Sequence, residues 1–89
     1  MATGTTFPFS ILTPSGVFIE GSVTAVEVTT YEGSLGVMAN HEPMVAACPA
    51  GLMRICQEGE WVTFRTSRAL LVADGTDVRL LTSVAKLAV

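Results

Sequence analysis

Positive charge is the scarcest feature of this 89-residue chain. Only five lysines and arginines stand against eight aspartates and glutamates, and none of the five lies within residues 1–53. Phosphate backbones are bound by clustered basic side chains, so this distribution excludes nucleic acid as a partner. The charges of the first half are all acidic, at Glu20, Glu27, Glu32 and Glu42. Two interpretations remain open for them: an ordinary solvated surface, or one that meets a basic partner.

Long apolar runs are also absent. The longest, such as residues 69–73, cover a few positions, whereas a helix needs about 20 to cross a bilayer. The first residues, MATGTTFPFS, contain no basic side chain and no long apolar stretch, which argues against a signal peptide. We therefore expect a cytosolic protein without direct membrane insertion.

The chain has too few cysteine, histidine and lysine residues for a metal site or a covalently bound cofactor. His41, Cys48 and Cys56 lack CxxC or HxxxH spacing, so neither a metal nor another cofactor is expected. Without an export signal, both cysteines are expected to be reduced and buried. The only lysine, Lys86, falls beyond the last predicted strand, which excludes a lipoyl or biotinyl carrier with its lysine at a hairpin tip.

Catalysis is disfavoured by the same scarcity. A thiol–imidazole pair of His41 with Cys48 or Cys56 would need a third group to orient the imidazole, and none is evident. No GxSxG motif is present either. The sequence predicts a non-catalytic protein.

What the chain does have is period-two alternation of apolar residues, which is typical of half-buried strands. Mean hydropathy is +0.53 and 49% of residues are hydrophobic, so one domain spanning residues 1–89 can form a compact core. We predict an all-β fold, an antiparallel β-sandwich or flattened barrel of about eight to ten short strands. Strands are predicted at residues 7–11, 17–19, 23–28, 52–56, 61–64, 70–73 and 78–81. Turns are predicted at residues 13–16, 21–22, 32–33, 40–41, 49–51, 58–59 and 74–75. Residues 83–89 fit either a helix or a strand, and Trp61 is placed in the core.

Residues 32–51 hold an unusual concentration of turn formers around the only histidine. Gly33 and Gly36 suggest a turn that leads into a closely packed strand. Asn40 enters the left-handed backbone region readily, so an exposed turn is expected there, with the His41 imidazole projecting into solvent. Pro43 then stiffens the exit.

Taken in order, these residues resemble the N-terminal β-sandwich domain of the epsilon subunit of F-type ATP synthases. The resemblance covers nearly the whole chain, and its specificity lies in the ordered set of short matches. The matching residues are Ile11-Leu12-Thr13-Pro14, Phe18, Gly21, Glu32-Gly33, Leu35-Gly36-Val37, His41-Glu42-Pro43, Gly51-Leu52-Met53 and Arg54-Ile55.

The chain departs from the family pattern at several positions. Asn40 stands where glycine is usual, and Ala50 replaces the proline before Gly51. Ser67-Arg68-Ala69 replaces a Ser-Gly-Gly, which puts the local bend in doubt. The helical hairpin that usually follows, and that binds ATP in some members, is missing from this sequence. The resemblance therefore implies no bound nucleotide.

The resemblance implies a mechanical function. Such a domain is part of the central stalk: it binds the gamma subunit and rests on the c-ring loops, coupling ion-driven rotation to ATP synthesis or hydrolysis at the cytoplasmic face of the cell inner membrane. It implies c-ring contacts at Glu32, Ser34, His41 and Glu42. Met38 and Met44 are the candidates for gamma, because methionine adapts to irregular partner surfaces. The alternative is a generic β-sandwich interaction module outside an ATP synthase.

Overall fold

The structure is a computed structural model that describes residues 4–88. Within them the chain forms ten strands and no helix. The strands are β1 (Phe7–Thr13), β2 (Gly16–Val23), β3 (Ala25–Thr30), β4 (Gly33–Met38), β5 (Met44–Cys48), β6 (Gly51–Gln57), β7 (Glu60–Thr66), β8 (Ala69–Ala73), β9 (Val78–Thr82) and β10 (Ala85–Leu87).

The strands form two five-stranded sheets, which confirms the predicted all-β sandwich. Sheet A has the order β2-β1-β9-β8-β5, and sheet B has the order β10-β7-β6-β3-β4. Every neighbouring pair is antiparallel except β1 and β9, which run parallel with Phe9 opposite Val78. The two halves of sheet A therefore join through residues far apart in the sequence.

The core lies between the sheets and takes alternate residues of each strand, as the pleat of a β-strand requires. Ile11, Val26 and Leu71 have no exposed surface at all. The other buried apolar residues are Phe7, Phe9, Val23, Val28, Val37, Cys48, Met53, Ile55, Phe64, Ala73, Val78 and Leu80. This core draws on nine of the ten strands, so the short β10 contributes only at its margin.

The β1–β2 and β3–β4 hairpins are closed by the same type of side-chain hydrogen bond, from a backbone N–H to a threonine hydroxyl. In the β1–β2 turn, Thr13 Oγ1 accepts a hydrogen bond from the Ser15 N–H at 3.2 Å. In the β3–β4 turn, Thr30 Oγ1 accepts from the Glu32 N–H at 3.0 Å. Each turn ends on a glycine with positive φ, 122° at Gly16 and 123° at Gly33, where a side chain would be strained.

The β6–β7 hairpin confirms the tight turn predicted at Glu58 and Gly59. Both residues have positive φ, 51° and 82°, as a two-residue hairpin loop of type I′ requires. Gln57 pairs with Glu60 directly across it.

The turn predicted at residues 21–22 is wrong, because both residues lie inside β2. The chain bends instead at Thr24, so the single strand predicted over residues 23–28 is divided between β2 and β3. Gly21 lies where the sheets approach each other: a Cβ there would lie 2.9 Å from Nε2 of Gln57 on the opposite sheet, the end of a flexible side chain that can move aside. The glycine that suggested a turn therefore lies within a strand, at a contact between the two sheets.

Two further expectations also change. Residues 44–48, which were assigned to no strand, form edge strand β5, and the undecided C-terminal segment forms β10. Lys86 lies inside β10, so the statement that it falls beyond the last strand is wrong. Cys48 is buried as expected, and burial raises the pKa of its thiol, whereas Cys56 is only half-buried.

Trp61 is not in the core. Its side chain is 43% exposed on the outer face of sheet B, and the Arg54 guanidinium carbon lies 4.1 Å from the centre of its ring. Phe64 is the buried aromatic of sheet B, and Phe18, which is 39% exposed, packs edge-on against it with 6.0 Å between ring centres.

Asp74 holds the β8–β9 turn together. Its Oδ1 accepts hydrogen bonds from the backbone N–H groups of Asp77, at 3.0 Å, and Thr76, at 2.9 Å. The Thr76 hydroxyl donates a third, also at 2.9 Å. These bonds, the one from Asp77 first, hold the pKa of the Asp74 carboxyl well below its usual range.

We expect this turn to contribute to acid sensitivity. The folded-state pKa is lowered, so the stabilisation is complete above the unfolded pKa of about 3.9 and is lost as the pH falls towards the folded value. The urea midpoint of Asp74→Asn should therefore fall less between pH 6 and pH 2.5 than that of the unsubstituted chain. Parallel decreases in the two midpoints would contradict the assignment.

Candidate protein-interaction surfaces

The β3–β4 hairpin presents the first group of predicted contact residues. Tyr31 and Glu32 form its tip, and the Tyr31 side chain is 63% exposed. Thr30 Oγ1 donates to the Gly33 carbonyl at 2.8 Å, which fixes the base of the turn. Ser34 follows as the first outward-facing residue of β4. The hairpin is a rigid, exposed support for the Glu32 carboxylate.

The segment around His41 differs from the prediction. Asn40 does take the left-handed conformation, with φ 65°. The imidazole, however, packs edge-on against Phe7, with 5.5 Å between ring centres and 69° between ring planes. Within the described residues neither ring nitrogen has a hydrogen-bond partner, and both are shielded from solvent. The expectation of a projecting imidazole is therefore wrong, because the apolar ring surface of Phe7 covers it; Glu42 beside it is exposed.

The structure does not bring the four predicted c-ring residues together. Strand β4, six residues long, begins directly after Glu32 and carries Ser34 near its start, whereas His41 and Glu42 follow its far end. At about 3.3 Å per residue this strand spans roughly 20 Å, so the two pairs lie at opposite ends of the sandwich. The Glu32 end is shared with the β1–β2 hairpin, since Pro14 and Tyr31 line one groove. The His41 end is shared with the β8–β9 turn, where a Cβ on Gly75 would lie 3.8 Å from Cγ of Pro43.

The two methionines assigned to gamma are also apart. Met38 is 66% exposed at the end of edge strand β4 of sheet B. Met44 begins β5 of sheet A and packs against the core as a partly buried residue. They belong to different sheets and do not form one apolar surface.

A continuous apolar surface exists elsewhere, on the outer face of sheet A, and the sequence analysis missed it. Neighbouring strands place five apolar residues side by side across the whole sheet: Val17 opposite Leu12, Leu12 beside Leu81, Leu81 opposite Leu70, and Leu70 opposite Ala47. Val17 is 56% exposed, and Leu70 and Leu81 are each 39% exposed. We call these five residues the sheet A apolar row.

The apolar surface widens towards β5. Two residues beyond Leu70 on the same face of β8, Val72 pairs with Val45 of β5, which is 66% exposed. On the other side of Val72 lies Arg79, held at 3.4 Å by Asp74 and at 3.8 Å by Asp77. At the Glu32 end the row borders a groove of about 660 Å³ that Arg68 and Tyr31 also line. An apolar patch with a polar rim is characteristic of a protein-binding surface.

A signal for this face was present in the sequence. Strand β8 reads Ala-Leu-Leu-Val-Ala, and β9 carries Leu80 and Leu81 in succession. A strand that is apolar at consecutive positions has apolar residues on both faces of its sheet, which is typical of sheets covered on both sides. The consecutive apolar residues of β8 and β9 therefore predict an apolar outer face of the sheet as well as an apolar inner face.

The outer face of sheet B mixes charged residues with separate exposed apolar ones, Met38, Leu52 and Trp61. Arg54 Nε donates to Glu27 Oε1 at 2.7 Å, and both side chains are nearly half exposed. A groove of about 540 Å³ lies alongside them, lined in part by Ser34, Gly36 and Leu52. Sheet A therefore has the more continuous apolar outer face, since its row crosses all five strands without a charged residue.

Comparison with known proteins identifies the family. The model described as the ATP synthase, delta/epsilon chain, beta-sandwich domain matches residues 6–88. The chain belongs to this family. Among curated relatives, the ATP synthase epsilon chain of Alkaliphilus oremlandii is 33% identical over 81 residues, covering 91% of this chain and 60% of that protein. The epsilon chain of Caldanaerobacter subterraneus is 32% identical over 82 residues, covering 91% and 59%.

Solved structures show the same fold. A chain of the Euglena gracilis mitochondrial ATP synthase, in a structure of OSCP/F1/c-ring, superposes with a TM-score of 0.86 at 20% identity, covering 97% of this chain and 56% of that one. A chain of the Tetrahymena thermophila mitochondrial ATP synthase central stalk and c-ring gives 0.76 at 11% identity, covering 94% and 68%. This delta/epsilon-type chain spans about 60% of the length of the curated relatives described above.

Across residues 4–88 no helix is long and apolar enough to span a membrane. The same residues contain no group of three or more histidine, cysteine, aspartate or glutamate side chains placed to hold a metal ion.

Proposed function

We propose that this chain is the β-sandwich of an ATP synthase epsilon subunit, a non-catalytic rotor component that binds gamma and contacts the c-ring. The observation that carries the proposal is the sheet A apolar row within a chain of the delta/epsilon family. A domain of this kind transmits torque between two partners, and close-packed sheets deform little under load. Its proposed position is peripheral, at the cytoplasmic face of the membrane that holds the c-ring.

The apolar row is the proposed gamma-binding surface. It crosses all five strands of sheet A and is continuous with Val72 and Val45. Burial of such a surface contributes a favourable free energy of about 25 cal/mol for each Å² of apolar area removed from water. This is the dominant favourable contribution to most protein association. Met44 is partly buried on the core side of β5 and Met38 lies on the other sheet, so neither belongs to this surface.

The β3–β4 hairpin is the proposed c-ring contact. Glu32 stands at its tip and Ser34 beside it, in a half of the chain without basic residues. An exposed carboxylate on a rigid turn favours association with basic loops. Because His41 and Glu42 lie at the opposite end of the sandwich, the proposed contact consists of Glu32 and Ser34 alone.

Charge reversal tests which end meets the c-ring. In reconstituted ATP synthase vesicles, Glu32→Lys is expected to reduce proton pumping per ATP hydrolysed, because a basic loop would then face a like charge. Glu42→Lys makes the same change at the other end and is expected to leave this ratio unchanged. Equal losses in both variants, or normal coupling in Glu32→Lys, would contradict the assignment.

A further inference from the structure

Strand β4 is an edge that lacks the usual protection against pairing. It forms the free edge of sheet B, and its six residues, Gly33–Met38, include no charged side chain and no proline. Its pairing with β3 is regular, without a bulge. An exposed, regular, uncharged edge presents backbone N–H and C=O groups to any strand that can reach them.

The other three sheet edges are protected. Strand β2 carries Glu20 and pairs with β1 through a register shift. Strand β5 has no charge or proline of its own, but Pro43 and Pro49 flank it, and its Ala47 carbonyl already accepts a hydrogen bond from the Tyr31 N–H at 3.2 Å. Strand β10 is three residues long and centred on Lys86. Charges, bulges, prolines and shortness are the devices that keep edges from associating, so β4 is the one edge open to strand addition among residues 4–88.

The outer face of β4 supplies complementary shapes. Ser34, Gly36 and Met38 point outward, whereas Leu35 and Val37 point towards the core. Open space lies over Gly36, where a Cβ would meet nothing within 4 Å, and a groove of about 540 Å³ adjoins it. At the end of the same strand Met38 protrudes, 66% exposed. The strand therefore carries both a recess and a flexible apolar side chain.

We propose that β4 pairs with β4 of a second copy of this chain, antiparallel and about a two-fold axis through Gly36. Directly opposite residues of an antiparallel pair share one face, so a continuous sheet needs a register in which outward residues meet outward residues. Centring on Gly36 sets Ser34 opposite Met38 of the second copy and Leu35 opposite its Val37. Each Met38 then lies beside the open space at Ser34 and Gly36.

The dimer is weak, and this follows from its size and charge. A six-residue strand pair buries less than the roughly 1,200 Å² typical of stable interfaces. Each copy has a net charge of −3, so the two copies repel each other. This repulsion is not concentrated at the axis, because β4 itself has no charged residue. The pairing would bury Ser34 and Met38. If the proposed function holds, the dimer also blocks the c-ring contact at Ser34; the pairing itself does not rest on that function.

Analytical ultracentrifugation tests the pairing. The chain should sediment as a 9.3 kDa monomer at micromolar concentration and shift towards twice that mass as its concentration approaches about 1 mM. Gly36→Lys should weaken the association by about tenfold or more, since it introduces two charges at the axis. Gly36 has open space around it, so this variant is expected to fold. Ser22→Lys, on protected edge β2, adds the same charge and should leave the association within about twofold.

Cross-linking tests the register. Opposite residues in an antiparallel pair have Cα atoms about 4.5–5.5 Å apart, which suits a disulfide. Under a mild thiol oxidant such as copper phenanthroline, Gly36→Cys should therefore give a covalent dimer, whereas the unsubstituted chain and Ser22→Cys should not. A chain that stays monomeric at 1 mM would overturn the proposal. So would a dimer that Gly36→Lys leaves intact, or equal cross-linking of both cysteine variants.

Discussion

Replacing Leu81 with lysine is expected to weaken binding of the chain to the gamma subunit by about a hundredfold or more, equivalent to roughly 3 kcal/mol. Leu81 lies at the centre of the sheet A apolar row, between Leu12 on β1 and Leu70 on β8. A charge at the centre of a desolvated interface has to be stripped of water without a partner, which is more costly than the loss of apolar contact alone. Calorimetric titration with purified gamma subunit measures the change.

The variant is expected to remain folded, because Leu81 faces outward and is 39% exposed in the free chain. Its lysine can extend into solvent until a partner covers the face. Thr29→Lys is the matched control: the residue is exposed on sheet B, and gamma affinity should change by less than about threefold. Unchanged affinity in Leu81→Lys would refute the proposed surface, and equal losses in both variants would show a general effect of added charge.

Local patterns were sufficient to predict the fold class and most of the turns. Period-two alternation located strands whose burial alternates over most of their length, such as β1 and β6, and Glu58-Gly59 specified its hairpin through backbone conformation alone. The errors arose where a residue serves contacts distant in sequence. Gly21 resembles a turn residue until Gln57 of the other sheet is placed beside it. Trp61 is in contact with Arg54 rather than the core, and only the β6–β7 pairing reveals this.

The candidate surfaces were harder to predict for the same reason. The apolar row is built from five strands, and its members become neighbours only through the sheet order, including the parallel pairing of β1 with β9. Glu32 and His41 are close in the sequence, yet an extended six-residue strand carries them to opposite ends. Proximity along a chain predicts proximity in space across a turn but not across a strand. Met38 and Met44 were predicted to form one gamma contact because methionine is common in interfaces, but it is equally suited to cores, and the two lie on different sheets.

Replacing Leu71 with alanine should cost about 2–5 kcal/mol of unfolding free energy, a large part of the total for a domain of this size. Leu71 has no exposed surface and lies in β8 between Leu80 of β9 and Ala46 of β5. The flanking strands restrict collapse around the vacated volume, so a cavity penalty adds to the lost transfer free energy. Since each kcal/mol shifts the melting temperature of a small domain by about 4–8 °C, thermal unfolding should show a decrease of at least about 8 °C.

The adjacent residue gives the matched control, because Leu70 makes the same leucine-to-alanine change on the opposite face of β8. Leu70→Ala should lower the unfolding free energy by less than about 1 kcal/mol, yet weaken gamma binding by about tenfold if the apolar row is the contact. Leu71→Ala should do the reverse, with near-normal gamma affinity measured well below its melting temperature. Because one strand supplies both residues, this double dissociation would separate the inner face that stabilises the sandwich from the outer face that binds its partner. A parallel loss of stability and binding in both variants would show that the two faces cannot be assigned separate roles.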